Sequence, residues 1–163
     1  MILKNCYIGI RDRLKTINEL QEVTWYTQQD QVNEQEMFSV PVAYILFNTI
    51  ELTSLPKKVQ MVERKIKFKV RLVSESYEDT EEAILSHLDL VQKVYEALDN
   101  YNYKDGDTQI LNTITRTAIK PEHDLSNLLI TEQTFEAIAF DYSNQKVYEK
   151  VKVGYEIKSI TVK

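Results

Sequence analysis

The chain has 163 residues, of which 43% are hydrophobic and 28% charged, and carries a formal net charge of -5. Such a length supports one packed core better than two, the composition is that of a folded chain, and the acidic balance argues against a protein that coats nucleic acid with its whole surface. Gly and Pro number three each, which excludes collagen-like repeats and Pro/Gly-rich linkers.

Cys6 is the single cysteine, so an intrachain disulfide is excluded and a reducing compartment, or indifference to redox, is expected. The start, Met1-Ile2-Leu3-Lys4-Asn5, lacks the basic and apolar regions of a secretory signal. No apolar run approaches the roughly 18 residues of a transmembrane helix.

In chain order, residues 1–22 are expected to form an amphipathic helix, with Leu3, Cys6, Ile10, Leu14, Ile17 and Leu20 recurring at steps of three and four. Val23 to Gln29 turns to β-branched and aromatic residues and predicts a strand. Asp30 to Glu36 is polar and reads as a loop. Val42 to Phe47 is apolar on both faces and predicts a central strand covered on both sides.

Residues 48–60, with Pro56, Lys57 and Lys58, read as a long hairpin excursion. Lys65 to Leu72 is the clearest strand: Ile66, Phe68, Val70 and Leu72 point one way, and Lys65, Lys67, Lys69 and Arg71 the other. A second helix is predicted from about Thr80 to Asn100, opened by an Asp79/Glu82 capping box and buried along Ile84, Leu88, Val91, Tyr95 and Leu98. Asp105-Gly106 marks a turn. Strands follow at Ile110 to Ile119, at Ile130 to Asp141 after a loop containing Pro121, and at Val151 to Ile157.

Strands that come in runs between two helices, without βαβ alternation, predict an α+β fold. The expected architecture is a mostly antiparallel sheet of four to six strands with two main helices packed on one face and a long β-hairpin, in one domain over residues 1–163.

Enzyme chemistry finds little purchase. One Cys and two His, His87 and His123, exclude a zinc-type cluster. A site built from both histidines and a carboxylate competes with the plainer reading of two solvated or capping residues. Cys6 sits on the apolar face of the first helix, where it packs rather than attacks. No Gly-x-Ser-x-Gly elbow, Walker loop or Gly-x-Gly-x-x-Gly occurs. Asp105 and Asp107 flank Gly106 without the rest of a calcium loop. No catalytic, cofactor-binding or metal-binding residue is assigned, and no cofactor is expected.

Charge is the sharper feature. Residues 57–71 hold Lys57, Lys58, Arg64, Lys65, Lys67, Lys69 and Arg71 against Glu63 alone, whereas residues 75–107 are dominated by Asp and Glu, with only Lys93 and Lys104 opposing them. Three readings stand. One is head-to-tail assembly of a basic patch on an acidic one, another is a basic face toward DNA, and the third is a solvated strand whose lysines pair with neighbouring carboxylates.

The layout resembles the tail terminator (tail completion) proteins of long-tailed bacteriophages. The resemblance spans essentially the whole chain and rests on the order and spacing of weak motifs. These are the amphipathic first helix, the proline-entered strand Val40-Pro41-Val42-Ala43-Tyr44-Ile45-Leu46, and the hairpin reaching Lys67-Phe68-Lys69-Val70-Arg71-Leu72-Val73. After a helix of about twenty residues come Leu111-Asn112-Thr113-Ile114-Thr115-Arg116, the Pro121 to Leu128 loop, and Thr134 to Asp141.

The resemblance implies a non-enzymatic virion protein of the tail or neck, assembled in the bacterial host cytoplasm. Its implied partners are itself in a ring, typically hexameric, the tail tube protein, and a head-side connector or stopper protein, with genome DNA passing through the lumen and no membrane. Interface residues are expected at the hairpin tip, Ser54, Leu55, Pro56, Lys57 and Lys58, and on the basic strand face, Lys65, Lys67, Lys69 and Arg71. The competing readings are another neck component, a small carboxylate-dependent enzyme, and a DNA-binding module.

Overall fold

Alternation in the lysine-rich strand organises everything around it. In the structure, a computed structural model, residues 2–27, 40–48, 62–75, 81–122 and 128–142 are described. The elements are α1 (Ile2–Leu14), β1 (Glu22–Trp25), β2 (Val42–Phe47), β3 (Val62–Glu75), α2 (Glu81–Leu98), β4 (Tyr103–Asp105), β5 (Thr108–Glu122) and β6 (Leu128–Asp141). They form one six-stranded sheet in the order β1-β2-β3-β6-β5-β4. β1 runs parallel to β2, and every other neighbouring pair is antiparallel. The fold is therefore α+β as expected, with a mixed sheet.

The inner face carries the main core. Ile66, Phe68, Val70 and Leu72 from β3 join Ala43 and Ile45 from β2, Phe135, Ala137 and Ala139 from β6, and Leu111 and Ile114 from β5. Both helices pack there, α1 through Cys6, Ile10 and Leu14 and α2 through Leu90, Val91, Val94 and Leu98. Phe68 and Phe135 stack with ring centroids 5.4 Å apart at the centre, where their backbones are in register. Stacked aromatics in such a site add to the transfer energy of burying them.

β2 proves to be the second strand from the β1 edge; β3 and β6 hold the middle of the sheet. The apolar character of β2 on both faces has a different origin. Ala43 and Ile45 enter the main core, while Val42 and Tyr44 build a small outer cluster with Val73 and Ile130.

Helix α1 ends at Leu14 instead of continuing to residue 22. The Lys15 amide still reaches the Arg11 carbonyl, but the following amides bond one residue short of the α-helical partner, Thr16 to the Arg13 carbonyl and Ile17 to that of Leu14. Thr16 also donates its hydroxyl to the Arg13 carbonyl, the local competition that makes Thr a poor helix continuer. Ile17 is buried all the same.

Helix α2 buries a stripe rotated from the expected one. His87, Leu90, Val91, Val94, Ala97 and Leu98 face the sheet, and Ile84 and Leu88 face outward. The helix ends beside Asn100, whose φ of 56° is the left-handed conformation that stops helices and that Asn tolerates.

Gly106 has φ +58°, with no atom within 4 Å of the space a Cβ would occupy, and forms the tight turn from β4 into β5. Pro121, expected in a loop, lies inside β5 opposite Thr131. The register of β4 on β5 ends at Leu111, so Pro121 occupies a stretch with no second neighbour among the described residues, where a missing N–H costs no ladder bond. The predicted strand at 151–157, the hairpin connection at 49–61, Asp79 and His123 lie outside the described residues.

Candidate functional site

The basic strand face is built by period-two alternation. Lys65, Lys67, Lys69 and Arg71 leave β3 on the outer side of the sheet, opposite the helices, and meet carboxylates on β6 and, beyond it, β5. Lys65 and Lys67 both reach Glu136 on β6, at 2.8 and 2.7 Å. Lys69 reaches Glu132 at 2.7 Å, and Arg71 reaches Glu122 on β5 at 2.6 Å. The two lysines beside Glu136 hold its carboxyl below the usual carboxylate range.

The expected basic stripe is therefore an interstrand ion-pair ladder, the plainest of the three charge readings for these four residues. The Lys65 and Lys67 side chains are exposed, and such pairs contribute little to stability and can exchange partners, whereas the Lys69–Glu132 and Arg71–Glu122 pairs are more deeply set. Ser54, Leu55, Pro56, Lys57 and Lys58 lie outside the described residues.

Beside this ladder the outer surface of β5 and β6 dips into an open concavity of about 560 Å³, lined by Lys65, Thr113, Thr115, Thr117, Glu136 and Ile138. Two irregularities in β5, between Asn112 and Thr115 and between Arg116 and Ala118, shape it. Thr113 sits at φ 34° there, and its amide is held by the Asn102 side chain at 2.7 Å. Bulges bend a strand locally and re-aim its side chains, and no rule of alternation locates them in advance.

His87 is neither solvated nor a helix cap. It is buried between α2 and the sheet, with Nδ1 2.5 Å from the Ser74 hydroxyl and Nε2 2.9 Å from that of Thr131. A neutral imidazole offers one donor and one acceptor, and each hydroxyl can play either part, so the group is satisfied without a charge. Burial pushes its pKa down. A neighbouring concavity of about 230 Å³, lined in part by Ser74, His87 and Glu75, brings a Ser–His contact to a surface. Among the described residues no group of three His, Cys, Asp or Glu side chains is placed to hold a metal ion.

Cys6 is fully buried, and burial pushes its thiol up to about 12, which leaves it protonated and unreactive. A second polar chain, centred on the buried Gln133, links α2 to the sheet. Arg116 donates to the Gln133 amide oxygen at 3.0 Å and lies 3.8 Å over the Tyr95 ring, and the Gln133 amide donates to the Val91 carbonyl at 3.0 Å. The sequence placed Val91 and Tyr95 on the buried stripe of α2 but not this linkage, because a cation among polar strand residues looks the same whether it faces solvent or an aromatic ring.

The outward side of α2 is the remaining surface of note. Ile84, Leu85 and Leu88 are exposed there, alongside Glu81, Glu82 and Asp89. No helix among the described residues is long and apolar enough to cross a membrane.

No protein-family model matches the chain, and no curated protein matches it. Among solved structures it is similar to a chain from the virion of a native gene transfer agent particle. The TM-score is 0.55 at 9% sequence identity, over 86% of this chain and 98% of that one. The two share a fold over nearly the full length of the solved chain.

Proposed function

We propose that this chain is a non-enzymatic structural protein of a phage-type virion, a tail terminator whose single domain over residues 1–163 forms a ring on the last ring of the tail tube. The ring ends tube polymerisation and presents its other side to the head-side connector, with DNA passing through its lumen. The observation that carries this reading is the shared fold with a chain of a gene transfer agent virion, spanning almost all of that chain. The resemblance of the element order to tail terminators supports the finer assignment. So does the location of the conspicuous chemistry on outward surfaces, an ion-pair ladder on one side and an acidic, apolar helix face on the other. Lys65, Lys67, Lys69 and Arg71 then face the lumen or an adjacent copy, and Ser54 to Lys58 contribute to the interface.

Electron microscopy of the protein mixed with purified tail tubes tests the proposal. The expected result is a cap of extra density at one end of each tube and an arrest of tube growth. Tubes that elongate unchanged overturn it. Binding to the portal side instead assigns the chain to head closure.

A further inference from the structure

Helix α2 carries an apolar surplus on the side turned away from its own core. Ile84, Leu85 and Leu88 are 44%, 54% and 48% exposed and lie within one helical turn, so they form a single patch. Glu81, Glu82 and Asp89 border it, exposed and without an ion pair among the described residues. The outer face of the sheet offers the converse. Ile138 is 40% exposed in the concavity beside β3. There Lys65 and Lys67 share the one carboxylate of Glu136, which leaves positive charge in excess at the rim among the described residues.

We propose that the α2 patch of one copy seats in the β3–β5–β6 concavity of a second copy, with Leu88 against Ile138 and the Glu81, Glu82 and Asp89 carboxylates facing Lys65 and Lys67. Charge complementarity selects the partner: the acidic rim of the patch matches the basic rim of the concavity, and apolar side chains meet inside both rims. The two halves lie on opposite faces of one sheet, because α2 packs on the inner face and the concavity opens on the outer. One two-fold contact cannot join both pairs of halves, so the interaction is head-to-tail and propagates from copy to copy. It deepens the ring reading and rests on that reading only for closure.

Paired single-cysteine variants of the full chain test the contact. Both positions are exposed, so folding is not at stake, and the buried Cys6 stays silent. Leu88→Cys and Ile138→Cys proteins, mixed at high concentration and treated with a short bismaleimide, are expected to give a cross-linked dimer. Neither variant alone gives one, and Leu85→Glu added to the first abolishes it. Absence of the mixed cross-link, both in solution and on tail tubes, overturns the proposal, as does an equal cross-link in Leu88→Cys alone, which signals a two-fold contact. Tubes capped without an 88–138 link defeat the contact and spare the ring reading; the link without capping does the reverse.

Discussion

Gly9 shows how a single position can reverse a local rule. In an exposed helix interior, Gly→Ala gains about 1 kcal/mol from reduced backbone freedom. Here a Cβ would lie 2.4 to 2.9 Å from ring atoms of Tyr103, including Cγ near the base of that side chain. Overpacking costs about 1–3 kcal/mol, so Gly9→Ala is expected to destabilise the chain, and Tyr103→Ala in the same chain to remove the penalty, as read in a double-mutant cycle of urea unfolding. His87 sets a pH dependence. Burial lowers its folded-state pKa below the ordinary 6.5, so the unfolded chain takes up the proton first. The stability due to neutral His87 is complete above about pH 6.5 and is lost as pH falls through the lower folded value. His87→Gln, which can bond both hydroxyls without titrating, is expected to flatten that fall in thermal denaturation. The sequence placed His87 correctly on a helix but not its environment, because Ser74 and Thr131 reach it from two strands distant in the chain.

At the scale of elements, the two faces of β3 contribute in opposite ways. Phe135→Ala empties the centre of the inner face and is expected to cost about 3–5 kcal/mol in chemical unfolding. Glu136→Gln, which loosens two exposed lysines on the outer face, is expected to leave the denaturation midpoint nearly unchanged. The sequence made this contrast legible, since strict alternation over Lys65 to Leu72 admits one register against a buried face. The strands that became β5 and β6, the turn at Gly106 and the existence of both helices were legible for a related reason: each is fixed by local periodicity or turn chemistry. The face α2 buries was not. Ile84, Leu88 and Leu98 obey a helical period as well as Leu90, Val94 and Leu98 do, and only the position of the sheet decides between the two stripes. Nor was the parallel pairing of β1 with β2, which depends on how the chain returns and not on either strand alone.

For the whole molecule, the charge divides between the two sides of one sheet: an ion-pair ladder in which Lys65 and Lys67 share one carboxylate on the outer side, and the exposed Glu81, Glu82 and Asp89 of α2 on the other. If rim charges of the two halves attract across copies, salt screens them over about 10 Å at 0.1 M. The fraction of tail tubes capped, counted in micrographs at fixed protein concentration, is therefore expected to fall as ionic strength rises. A rise with salt instead would assign the contact to apolar burial alone. The candidate surfaces were half legible: the basic strand face could be read directly, whereas the sequence assigns Ile84 and Leu88 of α2 to the core and leaves Leu85 unassigned.

The outer flank of β5 has a bearing on the fidelity of any such assembly. Beyond Leu111 no strand pairs along that flank among the described residues, yet the stretch is interrupted by two bulges, a backbone turned left-handed at Thr113, Lys120, and a proline at 121. Unpaired strand borders tend to recruit further strands without limit, and charge, bulges and proline are the features that discourage this. On the proposed reading, a chain that ends tube growth cannot tolerate a second, unregulated way of sticking to itself. The irregularities of β5 thus act as a safeguard, discouraging backbone-templated aggregation along that flank.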